Sequence, residues 1–68
     1  MDAVCLNRKG ISDEEGRALL LALQHNKTVR KLEMEGNSLE HDSLKELVKL
    51  VKTNDTLQFL SLECNTKL

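Results

Sequence analysis

Laid over itself with an offset of 28 residues, the chain brings its apolar positions into coincidence without a gap. Val29, Leu32 and Met34 fall on Leu57, Leu60 and Leu62, and the same offset puts Met1, Val4 and Leu6 under Val29, Leu32 and Met34. Ile11 falls under Leu39, while Leu19, Leu20 and Leu23 fall under Leu47, Val48 and Val51. Asn26 and Thr28 match Asn54 and Thr56, and Asn37 matches Asn65. A repeat of this length constrains the fold strongly. One unit cannot bury its apolar face alone, so successive units must stack on one another.

Each unit has two halves. The segments 29–37 and 57–65 carry the period-2 apolar alternation of a short strand and close on an asparagine. Its amide is suited to the backbone groups of the turn that leaves the strand. The second half has helical spacing. Leu44, Leu47, Val48, Leu50 and Val51 mark one expected apolar stripe, with Lys45, Glu46, Lys49 and Lys52 expected on the solvent side. The first unit places Leu19, Leu20 and Leu23 on the stripe and Gly16 at the position of Leu44. Ser12 followed by Glu15 has capping-box spacing and predicts a helix starting near Asp13. Ser43 and Glu46 offer the same spacing, with Asp42 as a competing cap, and Asn26 and Asn54 lie where the helices are expected to stop.

Composition narrows the function classes. The chain has 68 residues, enough for one small domain with a modest core. Ten Lys and Arg against eleven Asp and Glu leave a net charge of −1, so no basic surplus draws nucleic acid. Phe59 is the only aromatic, which argues against base stacking. The longest apolar run, Ala18 to Leu23, has six residues and falls far short of the roughly 18 of a membrane span. The N-terminal residues lack the basic and apolar regions of a signal peptide.

The strand–turn–helix unit, and the string Val29, Leu32, Met34, Asn37 and Leu39 within it, resembles the leucine-rich-repeat family over nearly the whole chain. The long helical half and the 28-residue period are similar to the ribonuclease-inhibitor-like subfamily, and the joint at 54–62 is also similar to repeats of NOD-like receptors and tropomodulins. The resemblance implies an α/β fold, a right-handed solenoid of about two and a half repeats with short parallel strands on the concave side and helices on the convex side. It gives a single domain at 1–68, divided as 1–28, 29–56 and a partial unit at 57–68. Two positions depart from the pattern: Lys9 stands in place of the asparagine of the first unit, and Lys67 stands where an apolar residue is expected.

Partners of such solenoids dock on the strand face. Alternation along the strands predicts three columns there: Ala3, Lys31 and Phe59; Cys5, Glu33 and Ser61; Asn7, Glu35 and Glu63. Lys31, Glu33, Glu35, Phe59, Ser61 and Glu63 are therefore the candidate protein-binding residues. The third column suits a basic partner, and Phe59 suits an anchoring role. Leu21, whose counterpart is Lys49, is expected on the convex surface.

No catalytic set emerges. His25 and His41 are isolated from zinc-spaced cysteines, and Gly10, Gly16 and Gly36 form no phosphate loop. Asp13, Glu14 and Glu15 read as first-turn charges favoured at a helix N-terminus. No metal and no cofactor are expected. Cys5 and Cys64 are predicted two strand steps apart, roughly 10 Å, beyond the about 7 Å that a disulfide spans, which suits a reducing, cytoplasmic setting.

The expected function is that of a non-enzymatic protein–protein interaction module, a scaffold or recognition segment of a longer repeat protein, with a protein partner and neither nucleic acid nor membrane. Resemblance also admits a regulator of a GTPase, similar to activators of Ran, and an actin-filament-associated, tropomodulin-like segment. A third expectation is a self-associating unit, with a homodimer formed through the uncovered C-terminal strand around Leu60 and Leu62.

Overall fold

A computed structural model describes residues 2–65. The expectations attached to Met1 and Lys67 lie outside them. The order is β1 (Ala3–Cys5), α1 (Asp13–Leu23), β2 (Lys31–Glu33), α2 (His41–Thr53) and β3 (Phe59–Ser61). The three strands form one parallel sheet in chain order. Ala3 pairs with Lys31 and Lys31 with Phe59, Val4 with Leu32 and Leu32 with Leu60. The register thus equals the 28-residue offset. The result is a small mixed α/β unit of three parallel strands and two helices, compatible with a leucine-rich-repeat unit.

The ladder continues past the strand ends. Leu6 and Arg8 donate to the carbonyls of Glu33 and Glu35, and Met34 and Gly36 donate to those of Ser61 and Glu63. Arg8, Gly36 and Cys64, one repeat apart, all adopt positive φ, at 53°, 67° and 62°. The turn therefore needs left-handed backbone at this position in every unit. Gly36 also makes room for a neighbour, since a Cβ there would lie 2.8 Å from Arg8 Cγ.

The core follows from the stacking. Leu20, Leu32, Met34, Leu39 and Leu50 are fully buried, while Val4, Leu6, Leu60 and Leu62 are only half-buried. Leu32 and Met34 have strands on both sides; among the described residues their counterparts have one neighbouring strand each.

The asparagines serve across units more than within them. Asn37 Oδ1 accepts from the N–H groups of Lys9 and Ile11, at 3.0 and 3.1 Å, and its Nδ2 donates to the carbonyls of Leu6 and Glu35. Asn65 likewise accepts from Leu39 N–H and donates to Met34 O and Leu62 O. Each asparagine fills the turn of the preceding unit. Lys9 stands at the equivalent position of the first unit, and among the described residues no turn lies on the outer side of β1. Asn54 repeats the device at the helix ends. Its Nδ2 donates to Leu23 O and Asn26 O, and its Oδ1 accepts from Thr56 and Leu57.

The capping box of α1 forms as the spacing predicts: Ser12 Oγ accepts from Glu15 N–H, and Glu15 Oε1 accepts from Ser12 N–H. The cap of α2 differs from expectation. Asp42 and Ser43 lie inside the helix, and the N-cap residue Glu40 makes no side-chain cap bond. Asp13, the first residue of α1, supplies the cap instead. Its carboxylate accepts from the N–H groups of Glu40, Asp42 and Ser43, at 2.8, 3.2 and 2.9 Å. Parallel stacking places the start of α1 beside the start of α2, so the anion meets the orphan donors of a neighbouring helix.

The expected apolar stripe of α2 also needs correction. Leu50 is buried and Leu47 half-buried, but Leu44, Val48 and Val51 are 39%, 47% and 66% exposed. Glu46, expected on the solvent side, is buried. A helix in a stack has two contact faces, one toward the sheet and one toward the neighbouring helix, and the stripe merged them. Glu46 lies on the α1 side, where Gln24 Nε2 donates to it at 3.1 Å and Arg17 Nε stands at 3.8 Å. Gly16 permits the close approach: a Cβ there would sit 2.2 Å from Leu39 Cδ2 and 2.8 Å from Ser43 Oγ.

Candidate protein-binding face

The helices cover one face of the sheet and leave the other open. Val4, Leu32 and Leu60 point inward to the core, so the alternate residues Ala3, Cys5, Lys31, Glu33, Phe59 and Ser61 point outward. The pairing aligns Ala3 with Lys31 and Phe59, and Cys5 with Glu33 and Ser61.

These side chains are tied into a strip. Lys31 Nζ lies 5.1 Å from the centroid of the Phe59 ring, within cation–π range, and 3.7 Å from Glu33 Oε2. Asn7 Nδ2 donates to Glu33 Oε1 at 3.4 Å, and Asn7 Oδ1 accepts from Glu35 N–H at 2.7 Å. Ser61 Oγ donates to Glu35 Oε2. Ser61, expected as an accessible residue, is buried, because the Glu35 side chain reaches over from the next column. Phe59 remains 50% exposed and Glu63 is exposed. The strip thus presents one aromatic ring under a lysine, flanked by the carboxylates of Glu33, Glu35 and Glu63.

The structure joins Lys31, Glu33 and Phe59 in one group and Glu35 and Ser61 in a second. Asn7 was not singled out as a site residue, yet it links both groups. Its offset from Glu35 by one repeat was the available signal. Leu21 is 49% exposed, on the helix side away from this strip.

Electrostatic tuning lies elsewhere, at the helix starts. Partial burial works to raise the Asp13 carboxyl, but hydrogen bonds from Ser43, Glu40 and Asp42 outweigh it and lower the pKa from 3.8 to about 2. Bonds from the Ser12 N–H and hydroxyl hold Glu15 below its usual range, and the Lys27 ammonium at 2.8 Å does the same for Asp55. A surface groove of about 940 Å³ is lined by residues of both helices and of both charges, among them Glu14, Arg17, Asp42, Lys45, Glu46 and Lys49. Among the described residues, no group of three or more His, Cys, Asp or Glu is placed to hold a metal ion. No helix of these residues is long and apolar enough to cross a membrane.

Among known proteins, the chain is similar to leucine-rich repeat-containing protein 45 of Gallus gallus, with 35% identity over 63 residues. That likeness supports a leucine-rich-repeat relationship. It covers 93% of this chain and 9% of the relative, so the chain spans a small part of the curated protein it matches. No protein-family model matches the chain. No solved structure matches it.

Proposed function

We propose that the chain is a non-enzymatic protein-interaction module, a segment of a ribonuclease-inhibitor-like solenoid that engages a protein partner on its outer sheet face. The observation that carries this reading is the open strip itself. In-register parallel strands hold Lys31, Glu33 and Phe59 on a face that no helix among the described residues covers, with Phe59 half-exposed at its edge. A half-exposed aromatic beside fixed charges has the make-up of an interface anchor. The carboxylates of Glu33, Glu35 and Glu63 suit a basic, extended segment with one apolar residue to rest on Phe59. Likeness to a leucine-rich-repeat protein adds a protein-interaction role at the level of the repeat class. The cytoplasmic location belongs to the same proposal, on the argument that strand spacing keeps Cys5 and Cys64 too far apart to pair.

The test is titration of a lysine-rich peptide carrying one leucine into the labelled chain, followed by amide chemical shifts. Shifts confined to residues 31–35 and 59–63, lost in Phe59→Ala and in the pair Glu35→Lys with Glu63→Lys, support the reading. Shifts spread over the helices, or unchanged binding in both variants, reject it.

A further inference from the structure

Of the residues in the two aligned rows of the outer sheet face, Lys31 alone is a cation, and it is held from two sides. Its Nζ stands 5.1 Å from the centroid of the Phe59 ring on the next strand and 3.7 Å from Glu33 Oε2 on its own strand. Asn7 Nδ2 donates to Glu33 Oε1 at 3.4 Å, which leaves Oε2 to the ammonium. A ring face and a carboxylate oxygen thus converge on one point, and a positive charge sits there. Neither contact is at its best. An ammonium bonded directly to a carboxylate stands at about 2.8 Å, so Lys31 is shared between its partners and seated on neither. Its side chain is 49% exposed, on a flexible stem that can turn into solvent.

We propose that this point is a subsite for a cationic side chain of the partner, arginine before lysine, and that Lys31 occupies it in the free chain as a built-in competitor. The subsite names the contact that grips the basic segment proposed above, and it rests on that reading for the source of the cation. Lys31 swings off, and the incoming charge takes its place. A guanidinium suits the position better than an ammonium. It is planar, so it lies flat on the Phe59 ring while its fork of N–H groups turns toward Glu33. It is also more weakly hydrated, so it leaves water at less cost.

The surroundings agree. Ala3 completes the row of Lys31 and Phe59 with a small neutral side chain, which gives the displaced lysine somewhere to turn. The Glu35 carboxylate is engaged by the Ser61 hydroxyl, so Glu33 is the carboxylate left to the cation. Both helices lie on the opposite face of the sheet. A further repeat on either side adds a strand beside the sheet and no helix over this face, so the subsite stays open in a longer array.

The test uses a small probe and a peptide. N-acetyl-arginine amide is titrated into the labelled chain, into Lys31→Ala, and into Lys52→Ala, which removes the same charge from α2 on the other face. In Lys31→Ala the probe is expected to shift the Phe59 ring and the Glu33 amide and to bind about three- to tenfold more tightly than in the parent. N-acetyl-lysine amide is expected to bind more weakly than the arginine probe, and Lys52→Ala to behave like the parent. Adding Phe59→Leu, which keeps an apolar side chain without a ring, or Glu33→Gln is expected to undo the gain. Lys31→Thr, suited to a strand, replaces Lys31→Ala should that variant lose its helical circular dichroism. A Lys31→Ala chain that binds the probe no more tightly than the parent does, or no more tightly than Lys52→Ala does, overturns the proposal. So does a gain that survives both Phe59→Leu and Glu33→Gln. The lysine-rich peptide is then titrated into the same chains. If the arginine probe binds as expected while the peptide leaves residues 31–35 and 59–63 unshifted, the subsite stands and the partner reading fails. If the peptide binds there and neither it nor the probe gains from Lys31→Ala, the partner reading stands and the subsite fails.

Discussion

Replacing Asn37 by alanine removes one buried side chain and opens a turn in a different repeat. Oδ1 loses the N–H groups of Lys9 and Ile11, and Nδ2 loses Leu6 O at 2.9 Å and Glu35 O at 3.3 Å. Asn37 is 7% exposed, so water replaces few of these bonds at Ile11 and Leu6, while exposed Lys9 can turn its N–H to solvent. Three good bonds at about 1 kcal/mol net each, with one group resolvated and one or two left unsatisfied, give a loss of about 2–4 kcal/mol. A 68-residue domain at about 0.05–0.15 kcal/mol per residue has only about 3–10 kcal/mol in total. Urea unfolding followed by far-ultraviolet circular dichroism reads the loss as a midpoint lower by more than about 1 M. Asn37→Asp keeps the acceptor but sets a carboxylate oxygen against two carbonyls, so it is expected to fall with the alanine variant. Lys9→Ala is expected to stay within about 0.5 kcal/mol of the parent. An Asn37→Ala midpoint equal to the parent's, or a Lys9→Ala loss of the same size, refutes the argument that each asparagine serves the unit before it.

Two other perturbations probe the helix layer. Gly16→Ala drives a Cβ to 2.2 Å from Leu39 Cδ2, and Leu39 is 1% exposed with little space to retreat. A loss of about 1–3 kcal/mol is expected, recovered in part by Leu39→Val in a double-mutant cycle; strict additivity would show that the two sites do not touch. Asp13 titrates in the fold at about 2 against 3.8 ordinarily, so its contribution is complete above about pH 4 and disappears as pH falls through about 2. Asp13→Asn is expected to flatten the acid limb of a stability–pH curve in that window. A carbon-detected titration placing Asp13 at or above 3.8 would contradict the cross-helix cap.

Much of this was legible in particular residues. The offset that superposes Leu32 on Leu60 also set the strand register, because identical units stacked in parallel must pair residue for residue. The Ser12–Glu15 spacing gave the start of α1, since a capping box is closed within four residues and needs no neighbour. The alignment of Ala3 with Lys31 and Phe59, and of Cys5 with Glu33 and Ser61, followed from strand alternation and the repeat offset. Ser61 did not: its burial comes from Glu35, which crosses from another column, and no period in the chain encodes which side chain leans over which.

The helix layer divides the same way. Periodicity located both helices but not their faces. Whether Leu44, Val48 and Val51 are core or surface depends on a neighbour that touches only one side of α2, and local sequence is the same either way. Asp13 reads as a first-turn charge of its own helix; only the stacking of α1 beside α2 makes it the cap of the next. Sequence by itself determined the unit, its period and its register, because these are properties of one repeat and its copy. Tertiary structure decided which groups are satisfied by the adjoining unit and which are left facing outward, because those bonds join residues 26 to 31 positions apart.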